Sequence, residues 1–146
     1  MTAFLQATIA KFIFRVKADC WYTDAGLWLA PVGDAGAVRI GLTDFRQQSS
    51  GDIAFLELPP AGRRVEAGEE LATIETVKVD VGLVSPCAGL ITAVNEGLAE
   101  APERINQDPY GDGWLVELKP DVWPIPGLLD APAYLRVMTA QAEAAA

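Results

Sequence analysis

Residues 71–84 read LATIETVKVDVGLV. Leu71–Thr76 has the composition of a strand, and Val77, Val79, Val81 and Leu83 then recur at every second position with Lys78 and Asp80 between them. A period of two sends successive side chains to opposite faces of an extended chain. The stretch therefore predicts a hairpin with its reversal near residues 76–79, and with Lys78 at or beside the tip, turned away from the valines. No Asn-Gly or Asp-Gly dipeptide marks that tip, so turn chemistry alone does not secure it.

Toward the N-terminus, Val65-Glu66-Ala67-Gly68-Glu69 reads as a turn, and Pro59-Pro60-Ala61-Gly62 stops a strand over 53–58. Another strand is expected over 37–42, and the polar stretch between the two holds a short helix capped by Thr43 or Asp44. Toward the C-terminus come a turn at Ser85-Pro86-Cys87-Ala88-Gly89 and a strand over 90–94. Asn95 is placed as the N-cap of a short helix through Ala101, and Trp114, Val116 and Leu118 alternate along a last strand. Gly51, Gly62, Gly68, Gly89 and Gly113 are read as serving turns or positive φ, and Trp28 and Trp114 as core aromatics.

The flanks divide the chain into an N-terminal extension (1–20), a central domain (21–119), and a linker with a C-terminal helix (120–146). Residues 1–10 are compatible with a helix. Pro120–Gly127 holds three of the ten prolines and reads as a linker. Asp130 then caps a helix with Pro132 in its first turn and Tyr134, Val137, Met138 and Gln141 on one face. Short strands punctuated by Gly and Pro give a mainly β fold, a flattened barrel or sandwich of two sheets with short helices added.

With 146 residues and 51% hydrophobic content the chain suffices for one domain with a sizeable core. Its net charge of −9 argues against nucleic acid and anionic membranes as partners and for partners with basic docking faces. The chain has no histidine, which removes the usual general base and the commonest metal ligand, so no catalytic residue and no metal site are assigned. Cys20 and Cys87 form no C-x-x-C pair and are read as buried thiols of a cytoplasmic protein. No segment approaches the roughly 20 apolar residues that span a bilayer.

Several pieces of the chain, in order, resemble the glycine cleavage H protein, a family of the lipoyl-domain fold. They include Gly41-Leu42-Thr43-Asp44-Phe45, Gly51-Asp52-Ile53, Glu57-Leu58-Pro59 and Glu75-Thr76-Val77-Lys78. Further along come Val94-Asn95-Glu96, Asp108-Pro109-Tyr110-Gly111 and Gly113-Trp114-Leu115. The resemblance implies that Lys78 carries lipoate in amide linkage. It also implies that Glu75 belongs to the context of the modification, where it is either read by the lipoylating enzyme or simply solvated. A cofactor that brings its own redox sulfurs leaves the protein to act as a carrier and not as an enzyme, in keeping with the absence of histidine. The implied partners are glycine decarboxylase, an aminomethyltransferase, dihydrolipoamide dehydrogenase and the lipoylating enzyme. The family's usual His-Glu-Trp is not kept, and the chain extends beyond the usual end. Those departures favour an alternative, a lipoate-binding protein that carries sulfur for sulfur-transfer and heterodisulfide-reductase-like proteins in sulfur oxidation.

Overall fold

The structure is a computed structural model that describes residues 3–145. Strands β1 (Phe4–Ile9) and β2 (Phe12–Lys17) form an antiparallel hairpin, so the stretch compatible with a helix is a strand, while the alternation of Phe12, Phe14 and Val16 agrees with the extended β2; Met1 and Thr2 lie outside the described residues. The reason is periodicity. Leu5, Ala7 and Ile9 pack inward while Phe4, Gln6 and Thr8 alternate with them, a spacing of two that no helix face satisfies.

Then follow β3 (Trp21–Tyr22), β4 (Leu27–Val32), β5 (Ala37–Leu42), α1 (Asp44–Ser50), β6 (Ile53–Glu57), β7 (Arg64–Val65), β8 (Glu70–Thr76), β9 (Asp80–Val84) and β10 (Gly89–Val94). After them come α2 (Arg104–Gln107), β11 (Val116–Pro120) and α3 (Ala131–Ala145). The fold is mainly β, as expected, but its strands form three sheets and no closed barrel. A six-stranded sheet runs β3-β4-β5-β11-β10-β7, a three-stranded sheet runs β6-β8-β9, and the β1–β2 hairpin stands apart.

Two apolar clusters hold these layers. The larger draws Leu29, Ile40, Ile91 and Leu118 from the six-stranded sheet together with Ile53, Leu71, Ile74 and Leu83 from the three-stranded one. The smaller fastens the N-terminal hairpin and α3 to the domain through Phe14, Val16, Tyr22, Trp28, Tyr134 and Met138. Tyr134 stacks on Tyr22 at 4.6 Å between ring centroids and shares a 2.9 Å hydrogen bond with the Thr43 hydroxyl. The buried face of α3 is Ala131, Tyr134, Met138 and Ala142; Gln141 is exposed and donates to the Asp24 carbonyl.

Local chemistry explains most boundaries. The Thr43 hydroxyl accepts from the Arg46 amide at the start of α1, and the Asp130 carboxylate accepts from the Ala133 amide at the start of α3. Asn95 departs from its expected role. Its side-chain amide donates to the carbonyls of Asp112 and Trp114, and only one 3₁₀ turn, Glu96–Ala99, follows it. Gly51, Gly62 and Gly68 have positive φ, whereas Gly89 and Gly113 are required by close approach. A Cβ at Gly113 would lie 2.6 Å from the Arg104 carbonyl, and one at Gly89 would run into the Lys119 carbonyl. Trp28 is buried as expected; Trp114 is half-buried, with the Arg39 guanidinium 4.4 Å above its ring. Between β11 and α3 the chain is pinned by an Arg64–Asp121 ion pair, by buried Ile125, and by two backbone hydrogen bonds between Tyr22 and Leu129. Among the described residues no helix is long and apolar enough to cross a membrane.

Candidate functional site

The β8–β9 hairpin runs in register Thr73↔Gly82, Ile74↔Val81, Glu75↔Asp80, which leaves Val77, Lys78 and Val79 as its tip. The Thr76 hydroxyl replaces the missing turn dipeptide. It donates to the Val79 carbonyl at 3.0 Å and accepts from the amides of Lys78 (3.2 Å) and Val79 (3.0 Å), while the Thr76 amide donates to the same carbonyl at 2.9 Å. Period-two alternation ends at this turn. Val77 is 94% and Val79 47% exposed, so both tip valines face solvent, contrary to the expected apolar face, and only Val81 and Leu83 turn inward. The reason is geometric: a reversal closed by a side chain breaks the pleat on which alternation rests.

Lys78 is exposed and has no ion-pair partner among the described residues. Glu75 is also exposed, in a cross-strand row with Phe55 of β6 and Asp80 of β9, and Glu57 lies two rows further from the tip, opposite Thr73. The hairpin brings Glu75 and Lys78 to the same end of the sheet without a hydrogen bond or ion pair between them among the described residues. Glu75, Asp80 and Phe55, the last 69% exposed, thus share the exposed row next to the tip that displays Lys78.

Beside the tip lies a groove of about 420 Å³ that Lys78 lines together with Ile9, Phe12, Phe14, Phe45 and Ala142. Phe14 meets Phe45 edge-on at 5.3 Å and stacks on Phe12 at 6.2 Å. One wall is therefore the β1–β2 hairpin; the alternation of Phe12, Phe14 and Val16 marks β2 as extended in the sequence, whereas its pairing with β1, signalled by Leu5, Ala7 and Ile9, and its place beside Lys78 were missed. Among the described residues that line the groove there is no carboxylate side chain.

Nothing nearby offers a nucleophile with its base. Cys20 and Cys87 are free and buried, and burial pushes both thiols up to about 11, so neither is an active nucleophile near neutral pH. No cluster of three or more metal-ligating side chains occurs among the described residues. The arrangement suits a covalently loaded amine, because Lys78 is accessible, unpaired, and set at the mouth of an apolar groove.

The comparisons agree with this geometry. The family model described as "Glycine cleavage H-protein" matches residues 20–141. The glycine cleavage system H protein of Chromohalobacter salexigens is 45% identical over 130 residues, covering 87% of this chain and 97% of that protein. That of Thermus thermophilus is 43% identical over 128 residues, covering 87% and 98%. The crystal structure of a glycine cleavage system H protein from Mycobacterium marinum superposes with a TM-score of 0.73 at 35% identity, covering 82% of this chain and 95% of that one.

Proposed function

The chain belongs to the glycine cleavage H-protein family, the lipoate-bearing carrier component of the glycine cleavage system, and from that premise we propose that Lys78 is its lipoyl attachment site. One observation carries the assignment: Lys78 is the exposed, unpaired lysine at the tip of a hairpin whose turn is closed by the hydroxyl two residues before it. Glu75 is the modification context, one carboxylate of an acidic face that a basic lipoylating enzyme would read. Lipoate bound there would supply a redox-active dithiolane, and Lys78 would hold it within reach of glycine decarboxylase, the aminomethyltransferase and dihydrolipoamide dehydrogenase in turn.

The protein's own residues display, shelter and orient. Thr76 holds the turn so that the Lys78 stem projects from a fixed base, and acylation of its amine removes the tip's one positive charge. Phe12, Phe14 and Phe45 then offer an apolar surface to a hydrocarbon arm. A second reading, sulfur carriage for a heterodisulfide-reductase-like complex, draws support from the described residues that line the groove, none of which offers a carboxylate side chain as counterion to an ammonium-bearing cargo.

Coexpression with a lipoylating enzyme tests the assignment by intact mass. The wild type is expected to gain one lipoyl group and Lys78→Arg none; a lipoylated Lys78→Arg protein would refute it. Bicarbonate exchange into glycine with a glycine decarboxylase, against sulfur loading from a sulfur-donor protein, separates the two readings.

A further inference from the structure

The β1–β2 hairpin lies ahead of residues 20–141, the span that the family model matches, and its two edges differ. Along an antiparallel ladder, residues alternate between those whose N–H and C=O point into the pair and those whose groups point away from it. On β2 the outward groups are taken. The Arg15 amide donates to the Asp44 carboxylate at 2.9 Å, and the carbonyls of Arg15 and Ile13 accept from the Tyr110 hydroxyl at 2.9 Å and from the Gln48 side-chain amide at 3.0 Å. The register Gln6↔Arg15 and Thr8↔Ile13 turns the matching groups of β1 outward as well, together with those of Phe4 opposite Lys17. No strand pairs with that edge, and among the described residues no hydrogen bond reaches the backbone of Phe4, Gln6 or Thr8, all three of which are exposed.

Open sheet edges are usually blocked by a charge, a proline or a bulge. Strand β1 reads FLQATI and has none of these: its register with β2 is unbroken, and the cations of the hairpin, Lys11, Arg15 and Lys17, sit in the turn and on β2. No Asp or Glu precedes Asp19, so the net charge of −9 is carried elsewhere. An uncharged edge selects neither a basic nor an acidic partner, but this one matches itself. About a two-fold axis through Gln6, two antiparallel β1 strands bring Gln6 opposite its own copy and Phe4 opposite Thr8 of the other copy. The outward N–H and C=O groups of all three residues then fall in hydrogen-bonded pairs, and Leu5 and Ala7 continue one apolar face across the axis.

We propose that β1 is a homodimerisation edge, which pairs with β1 of a second copy to give a four-stranded sheet in the order β2-β1-β1-β2. The outer edge of β2 is already occupied by α1 and Tyr110, so the assembly closes at two copies. Ile9, which lines the groove beside Lys78, and its copy stand roughly 20 Å apart along the paired strands, at about 3.4 Å per residue, which keeps the two grooves separate. This pairing is independent of what Lys78 carries.

Sedimentation velocity of the full chain over a concentration series, joined to amide hydrogen exchange, is the test. The wild type is expected to pass from monomer to dimer with a Kd of about 1–100 μM, and the amides of Phe4, Gln6 and Thr8 to exchange more slowly as the dimer forms. Gln6→Lys sets two ammonium groups face to face and Gln6→Pro removes the N–H at the axis, so each should weaken association by about tenfold or more. Gln6→Thr keeps the N–H on a strand-favouring residue and should dimerise like the wild type. The Gln6 N–H takes no part in the β1–β2 ladder, so the melting temperature of Gln6→Lys should match that of the wild type at dilutions where both are monomeric. A wild type still monomeric at about 1 mM would overturn the proposal and leave the edge to a strand of a different protein. So would a dimer that persists in Gln6→Lys and Gln6→Pro with the wild-type Kd, or one whose formation leaves the three amides exchanging as in the monomer, since either result puts the interface elsewhere.

Discussion

Thr76 shows how one hydroxyl stands in for an absent turn motif. Its three hydrogen bonds close a reversal in which Val77 and Val79 face water, so few apolar contacts help to hold the tip. Hydrogen bonds at so exposed a site are worth little each, with a net contribution of roughly 0.5–1.5 kcal/mol even for typical intramolecular ones. Thr76→Val is therefore expected to lower stability by about 1 kcal/mol while loosening the tip. The expected readouts are a small fall in denaturant midpoint and a larger fall in the rate of lipoylation of Lys78. Thr76→Ser, which keeps the hydroxyl, should restore both. A Val variant lipoylated at the wild-type rate would show that the clamp has no part in presenting the lysine.

At the scale of elements, α3 is fastened through Tyr134, which both stacks on Tyr22 and bonds to the Thr43 hydroxyl that caps α1. Three elements thus meet at one ring, and α3 in turn supplies Ala142 to the groove that Lys78 lines. Tyr134→Phe keeps the stack and should cost about 1 kcal/mol for the lost hydrogen bond. Tyr134→Ala leaves a cavity and should cost about 3–5 kcal/mol, as aromatic truncations in packed cores do. Urea denaturation distinguishes these values. Equal losses for the two variants would mean that the hydroxyl, and not the ring, joins α3 to the domain.

For the molecule as a whole, the lack of histidine removes the side chain that ordinarily titrates between pH 5 and 8. The groups that burial perturbs lie on the alkaline side: Cys20 and Cys87 are pushed from 9.0 up to about 11, and burial raises Tyr134 to about 12. An acid whose pKa is higher in the folded state contributes stability that is complete below its unfolded value and is lost as pH rises through the folded one. The unfolding midpoint is therefore expected to be nearly flat from about pH 6 to 8 and to fall as pH climbs from 9.0 toward about 11. Replacing both cysteines by alanine should soften that fall. A midpoint dropping steeply between about pH 6 and 8 would contradict this account.

The mainly β class, the hairpin over residues 71–84, the lysine at its tip and the helix begun by Asp130 were all legible in the sequence, because period-two alternation and helix capping are local signals. The resemblance to the H-protein family was legible for a related reason: short pieces such as Glu75-Thr76-Val77-Lys78 keep their residue types and order. Tertiary structure alone decided the rest. The alternation of Leu5, Ala7 and Ile9 is too short a signal to decide between helix and strand, and their packing in the cluster that includes α3 fixes that segment as the first strand of a hairpin. Nothing local reveals that Phe12 and Phe14 of β2, Phe45 of α1 and Ala142 of α3 converge beside Lys78, since those positions meet only when distant segments pack. The same holds for Arg46, an ordinary basic residue in the sequence, whose Nε is buried without a hydrogen-bond partner only once its stem packs against Gly26. Local pattern determines which face a residue takes within its element, and long-range packing determines what that face meets.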